Sequence, residues 1–187
     1  VWIGTTYHGV YRYDGRRFHS YESPASIGPV PAGRHAFTGS QVNSLLPDGR
    51  GGMWVAARAY GIDHYTDGAF QHYPPRGAGA GSWPTNNAVL GVYQPDGSLW
   101  FVTEFHGLVH LGNDGETFTV HAVPPEMSSG APALQCITAG DRNTLWIGGA
   151  DGLLEFDTHS QQFVRRYGRA AGIGDAVVSI VRDRSGR

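Results

Sequence analysis

A single cysteine, Cys136, excludes an internal disulfide and leaves the redox compartment open. It stands inside an apolar run, where a small buried hydrophobe is expected rather than a reactive thiol. No apolar run reaches the roughly 18 residues that a spanning helix needs, so nothing in the sequence reads as one. Lysine and arginine total 14 against 16 aspartates and glutamates, a formal net charge of −2 with no basic stripe for nucleic acid. No segment sustains a helical apolar period, and 28 glycines and 11 prolines interrupt too often for long helices. No signal-peptide pattern is visible, and the start at Val1 rather than methionine leads us to expect missing upstream sequence. With 40% hydrophobic and 12% aromatic residues the chain can still build a core, which excludes disorder.

What the sequence does contain is a repeat. The runs VWIGT, MWVAA, LWFVT and LWIGG place Trp2, Trp54, Trp100 and Trp146 at spacings of 52, 46 and 46 residues. A glycine follows each tryptophan at six or seven residues (Gly9, Gly61, Gly107, Gly152), then an apolar residue (Tyr13, Tyr65, Leu111, Phe156) and a phenylalanine (Phe18, Phe70, Phe118, Phe163). Self-similarity at this period points to supersecondary units that cannot bury their own apolar faces and must stack on neighbours. The fourth copy is split across the termini, since joining Arg187 to Val1 reads DRSGRVWIGT.

Each copy parses into four strands. Strand a covers Val42–Leu46, Val89–Tyr93, Leu134–Thr138 and Val177–Val181, and strand b holds the tryptophan. Strand c covers Val10–Tyr13, Ile62–Tyr65, Leu108–Leu111 and Leu153–Phe156; strand d covers Phe18–Tyr21, Phe70–Tyr73, Phe118–Val123 and Phe163–Tyr167. Asp14-Gly15, Asp67-Gly68 and Asp114-Gly115 join c to d, a pair that supplies the positive torsions of tight hairpins. Strands a and b are nearly unbroken apolar runs, as expected for sheets covered on both faces. The expected fold is all-β, with four-stranded antiparallel propeller blades. The blade units span about 1–23 (completed by 177–187), 42–75, 87–125 and 134–168, with an insertion at 24–41.

The unit D-x-x-G-x-(L/V/M)-W-(I/V)-G-T…G-(L/V)-x-x-(Y/F)-(D)…F…Y resembles the two-component regulator propeller repeat. VWIGTTYHGVYRYDGRRF and LWIGGADGLLEFDTHSQQF are the nearest copies, whereas Ala56-Ala57 and Phe101-Val102 depart from the pattern. The resemblance implies the periplasmic or extracellular sensor of a membrane-anchored bacterial histidine kinase, built as a seven-bladed propeller. An immunoglobulin-like module, membrane helix and kinase would follow in the parent, and a homodimer is implied. On this footing the split repeat is expected to mark a segment of a larger array, packed on neighbouring blades, rather than a four-bladed ring closed by 177–181. The expected role is sensing of a small extracellular ligand such as an oligosaccharide, with no chemistry of its own. A propeller lyase acting on a polysaccharide or cyclic ester, or an interaction scaffold, are the alternatives.

Strand alternation sends the b–c turns and the links between copies to one end of each blade. These are chemically richer than the Asp/Gly turns at the other end, and loops carry function on rigid scaffolds. The candidate ligand residues are Tyr7, His8, Arg34, Arg58, Tyr60, Trp83, Glu104, Phe105, His106 and Asp151. Trp83, in a Gly/Ala-rich link, is the leading candidate for a ligand plate; the alternative is a wedge between blades. Trp2, Trp54, Trp100, Trp146, Gly9, Gly61, Gly107 and Gly152 are expected to be structural. For a lyase, His8 or His106 would act as base with Glu104 or Tyr60 as partner. No histidine pair has ligand spacing, so no metal is expected. No cofactor is expected either, because Gly77–Gly81 and Gly172–Gly174 look like connectors rather than phosphate loops.

Overall fold

The computed structural model describes residues 1–21, 33–35, 37, 39, 41–58, 60–75, 83–85, 88–93, 97–112, 114–130, 132–174 and 176–183. The rest of the 24–41 insertion, Gly77–Gly81 and the 184–187 end lie outside the described residues. The chain divides into two compact units, Val1–Ala88 and Val89–Arg187.

In the first unit, β1 (Trp2–Gly4), β2 (Val10–Tyr13) and β3 (Phe18–Tyr21) form a three-stranded antiparallel sheet. β4 (Gly33–His35), β5 (Val42–Pro47), β6 (Met53–Ala57), β7 (Gly61–Thr66) and β8 (Ala69–Tyr73) form a second sheet in the order β4-β8-β7-β6-β5. β6 is buried at every position, because a sheet covered on both faces has no wet side to alternate with. Val10, Val55, Ala57, Tyr65 and Phe70 pack together, with Trp2 and Tyr21 against them. Phe37, within the 24–41 insertion, is fully buried in this core against Phe70. Strand β4 was not expected: it pairs its insertion segment with β8 through Gly33↔His72 to His35↔Phe70, covering an edge that would otherwise be open.

In the second unit, β9 (Ala88–Tyr93), β10 (Leu99–Thr103), β11 (Gly107–Leu111) and β12 (Phe118–His121) form one four-stranded sheet. β13 (Leu134–Ala139), β14 (Thr144–Gly149), β15 (Gly152–Asp157) and β16 (Gln162–Tyr167) form another, and both run in chain order. Trp100, Val102, Leu108, Leu134, Ile147, Phe156 and Phe163 share a single core. Burying each such side chain contributes about 1.5–3 kcal/mol. The helix content of the described residues is two single turns of 3-10 helix, Pro125–Met127 and Arg169–Ala171.

The cross-strand register explains the repeat tryptophans. Each faces strand c at Arg12, His64, His110 or Glu155. His64 lies flat on Trp54 at 4.0 Å and His110 on Trp100 at 4.1 Å, while the Arg12 guanidinium sits 5.7 Å from the Trp2 ring. Trp54 and Trp100 are buried, but Trp2 and Trp146 are only half-buried.

Two local expectations are corrected. Val177–Val181, expected as strand a of the first copy, forms no ladder, and the β1–β3 sheet has three strands among the described residues. An apolar β-branched run becomes a strand only where an edge accepts it. This one instead lies along its own unit's last sheet. The Val177 N–H donates to the Gly149 carbonyl at 3.0 Å, Ile180 and Val181 line a groove with Trp146 and Leu153, and Arg182 pairs with Asp141. The Asp-Gly turns also divide by mechanism. Asp67 and Gly68 both take positive φ (51° and 83°). At Asp14 and Asp114 only the glycine does, and the carboxylate caps the turn by accepting from the N–H groups of Arg16 and Arg17, or of Glu116 and Thr117. Thr117 and those amides hold the Asp114 carboxyl down at about 2.

His121 gives the second unit a pH dependence. Burial between Trp100 and Phe156 lowers its pKa, and nearby His110 lowers it further. A histidine whose folded pKa lies below its unfolded value keeps its stabilising contribution above the unfolded pKa of about 6.5 and loses it as pH falls. The melting temperature is therefore expected to fall between about pH 7.5 and about pH 5.5, and less so in His121→Gln. Equal falls in both proteins would contradict this.

Candidate functional site at the b–c turns

A tryptophan strand leads into each b–c turn and a left-handed glycine leads out of it. In copies one and three the threonine of the repeat closes the turn. Thr5 Oγ1 donates to the Gly9 carbonyl and accepts the His8 N–H, each at 2.9 Å. Thr103 Oγ1 donates to the Gly107 carbonyl at 2.9 Å and accepts the His106 N–H at 3.1 Å. With its polar groups satisfied inside, the turn sends its middle side chains outward. Tyr7 is 78% exposed, Phe105 53% and Tyr60 39%, and all three sit at the equivalent turn of their copies. His8, His106 and Arg58 are exposed beside them and Glu104 is half-buried. Arg34 lies on β4, opposite Gln71.

Trp83 does not serve as a ligand plate. It is 0% exposed, its backbone N–H donates to the Pro74 carbonyl at 2.9 Å, and its backbone forms a parallel bridge with Pro75. An indole in a Gly/Ala-rich link gains more from burial than from water.

The fourth b–c turn is built differently, with Gly149 and Asp151 in place of the threonine and aromatic. Asp151 Oδ2 accepts from Ser128 Oγ and the Ser129 N–H, both at 3.0 Å, and Oδ1 accepts from Ser129 Oγ. Arg166 Nε donates to the Asp151 carbonyl at 3.0 Å, and its Nη2 stands 3.7 Å from Oδ1. The Ser129 hydroxyl above all, with the Ser129 amide, the Ser128 hydroxyl and the Arg166 charge, lowers the Asp151 pKa against a smaller opposing effect of burial. Beside the turn opens a pocket of about 410 Å³ lined by Ser129, Asp151, Arg166, Gly168, Arg169 and Ile173. Sequence reasoning found Asp151 and missed the others. The available signal was Arg165-Arg166 at the end of strand d, where the chain returns to the b–c end.

Other titratable groups are tied into structure. His64 is 3.0 Å from Asp48, buried His72 is 3.3 Å from buried Asp63, and burial raises the Cys136 thiol, which donates to the Val177 carbonyl at 3.5 Å. Among the described residues no three His, Cys, Asp or Glu side chains are grouped to hold a metal. Gly172–Gly174 follows a 3-10 turn instead of opening a helix.

No family model matches the sequence, and no curated protein matches it. Solved structures do. Over 90% of its length the chain is similar to the extracellular domain of BT3049, described as a hybrid two component system of B. thetaiotaomicron, at 15% identity and a TM-score of 0.59. The blades are those of a β-propeller. PorZ, a bacterial surface component of the type-IX secretion system of Porphyromonas gingivalis, matches 94% of this propeller chain at 12% identity and a TM-score of 0.62. A catalytically inactive virginiamycin B lyase from Staphylococcus aureus, solved with quinupristin, matches 84% at 17% identity and a TM-score of 0.59. The propeller chain spans 27% of the BT3049 and PorZ chains and 48% of the lyase. At these identities the likeness shows the fold. No helix among the described residues is long and apolar enough to cross a membrane.

Proposed function

We propose that this chain belongs to the extracytoplasmic ligand-sensing propeller of a bacterial two-component signalling protein, which captures a small ligand such as an oligosaccharide and performs no chemistry. The observation that carries the reading is the repeated exposure of an aromatic ring at equivalent b–c turns, Tyr7, Tyr60 and Phe105. A rigid closed turn holding an aromatic plate beside an imidazole or guanidinium suits sugar rings, which stack by their apolar face and hydrogen-bond by their edge. The likeness to the extracellular domain of a hybrid two component system supports the same reading. Packing of the blades on neighbours, in the parent chain or in a homodimer, would carry the signal, since stacked sheets resist internal deformation.

Calorimetric titration with a panel of neutral oligosaccharides tests this. At least one is expected to bind, and Tyr7→Ala or Phe105→Ala is expected to weaken it about tenfold, with the melting temperature unmoved. A silent panel, or unchanged affinity in both variants, would overturn the reading. The lyase alternative has in its favour the likeness to virginiamycin B lyase. It requires turnover of a cyclic ester or polysaccharide that disappears in His8→Ala or His106→Ala.

A further inference from the structure

We propose that the pocket at the β14–β15 turn is an oxyanion subsite, in which Arg166 and Arg169 take a carboxylate or sulfate group of a small ligand. The inference rests on the sensing role above and assigns one end of its ligand. Asp151 is occupied from within, since Ser128, Ser129 and Arg166 fill its acceptor positions. Its carboxylate therefore fixes Arg166 in place and has little left to offer a ligand donor. Arg166 is anchored through Nε and Nη2, which leaves Nη1 without an acceptor among the described residues. Arg169 is exposed on the same pocket wall; its carbonyl accepts the Gly172 N–H, and its guanidinium makes no hydrogen bond or ion pair among the described residues. Two guanidiniums against one internally satisfied carboxylate leave the pocket positive and rich in donors. A preorganised guanidinium fork matches a planar carboxylate or a sulfate edge better than it matches neutral hydroxyls. Ser129 adds a short polar side chain and Ile173 an apolar wall, within a volume sufficient for one sugar ring.

D-glucuronate, inorganic sulfate and D-glucose distinguish the sources of such a group. Each is titrated into the chain while the Arg166 Nε–Hε resonance is followed by NMR and affinity by calorimetry. The expected result is that glucuronate, sulfate or both shift the resonance and glucose does not. Arg169→Ala, which breaks no described contact, is expected to weaken anion binding about tenfold, and Arg169→Lys to restore part of it. Glucuronate alone assigns a carboxylate and sulfate alone a sulfate ester. An unmoved resonance with both anions, or unchanged affinity in Arg169→Ala, overturns the subsite. If the neutral panel binds while both anions fail, the sensing role stands and the subsite falls. Anion binding with a silent panel keeps the subsite and removes the neutral-sugar reading.

Discussion

Trp100→Ala is expected to destabilise the second unit by about 3–5 kcal/mol, the cost of truncating a fully buried aromatic side chain. Trp100 is 1% exposed. Its indole stacks on His110 at 4.1 Å, meets the Phe156 edge at 5.2 Å and donates from Nε1 to Ser98 Oγ at 2.9 Å. Alanine would open a cavity lined by His110, His121 and Phe156, two of them imidazoles that gain nothing from a dry void. Trp146 occupies the same place in its repeat but is half-buried beside an open groove, so Trp146→Ala should cost clearly less. Urea unfolding of both variants checks the ranking. Equal losses would mean that the repeat position, and not the burial seen at each copy, sets the energy.

The contrast between these tryptophans shows what the sequence could carry. Strand b was legible because a run such as Leu99–Val102 is apolar at four successive positions, which suits a strand covered on both sides. The hairpins were legible because their connections are short and rich in Asp and Gly. Strand β4 and Phe37 were not, since Gly33–His35 has no apolar alternation and Phe37 is the one large apolar side chain in the stretch RHAFTGS. Their place depends on the free edge of β8 and on space beside Phe70, neither of which is local. The buried pair of Asp63 and His72 escaped notice for the same reason: it exists only in the β7–β8 register. At the candidate site the exposed rings Tyr7, Tyr60 and Phe105 followed from repeat position. The Asp151–Arg166 pocket did not, because Ser128 comes from the link before the fourth copy and Arg166 from its last strand, and only the fold brings them to one turn.

Gly107→Ala is expected to cost about 2–5 kcal/mol, although it adds a single methyl group to a residue that touches no ligand. Gly107 holds φ at +94°, and a Cβ there would fall against the carbonyl oxygen of His121, with the Ala122 Cα at 3.1 Å. The obstacle is backbone at the end of strand d, which cannot rotate aside. Nor can Gly107 move away easily, because its carbonyl accepts the Thr103 hydroxyl that closes the turn. The same geometry recurs at Gly9 (φ +71°) and Gly152 (φ +106°), where an added Cβ would stand 2.5 Å from the Tyr21 and Tyr167 carbonyl oxygens. This recurrence gives the repeat glycine a steric role in every copy. Gly115 provides the control. It also has positive φ, +72°, but a Cβ there meets nothing within 4 Å, so Gly115→Ala should cost only the left-handed strain of about 1–2 kcal/mol. Chemical denaturation of the two variants separates torsion from contact. If Gly107→Ala proved no worse than Gly115→Ala, the packing of strand d on the b–c turn would be looser than described, and the outward aim of Phe105 and His106 would lose its support.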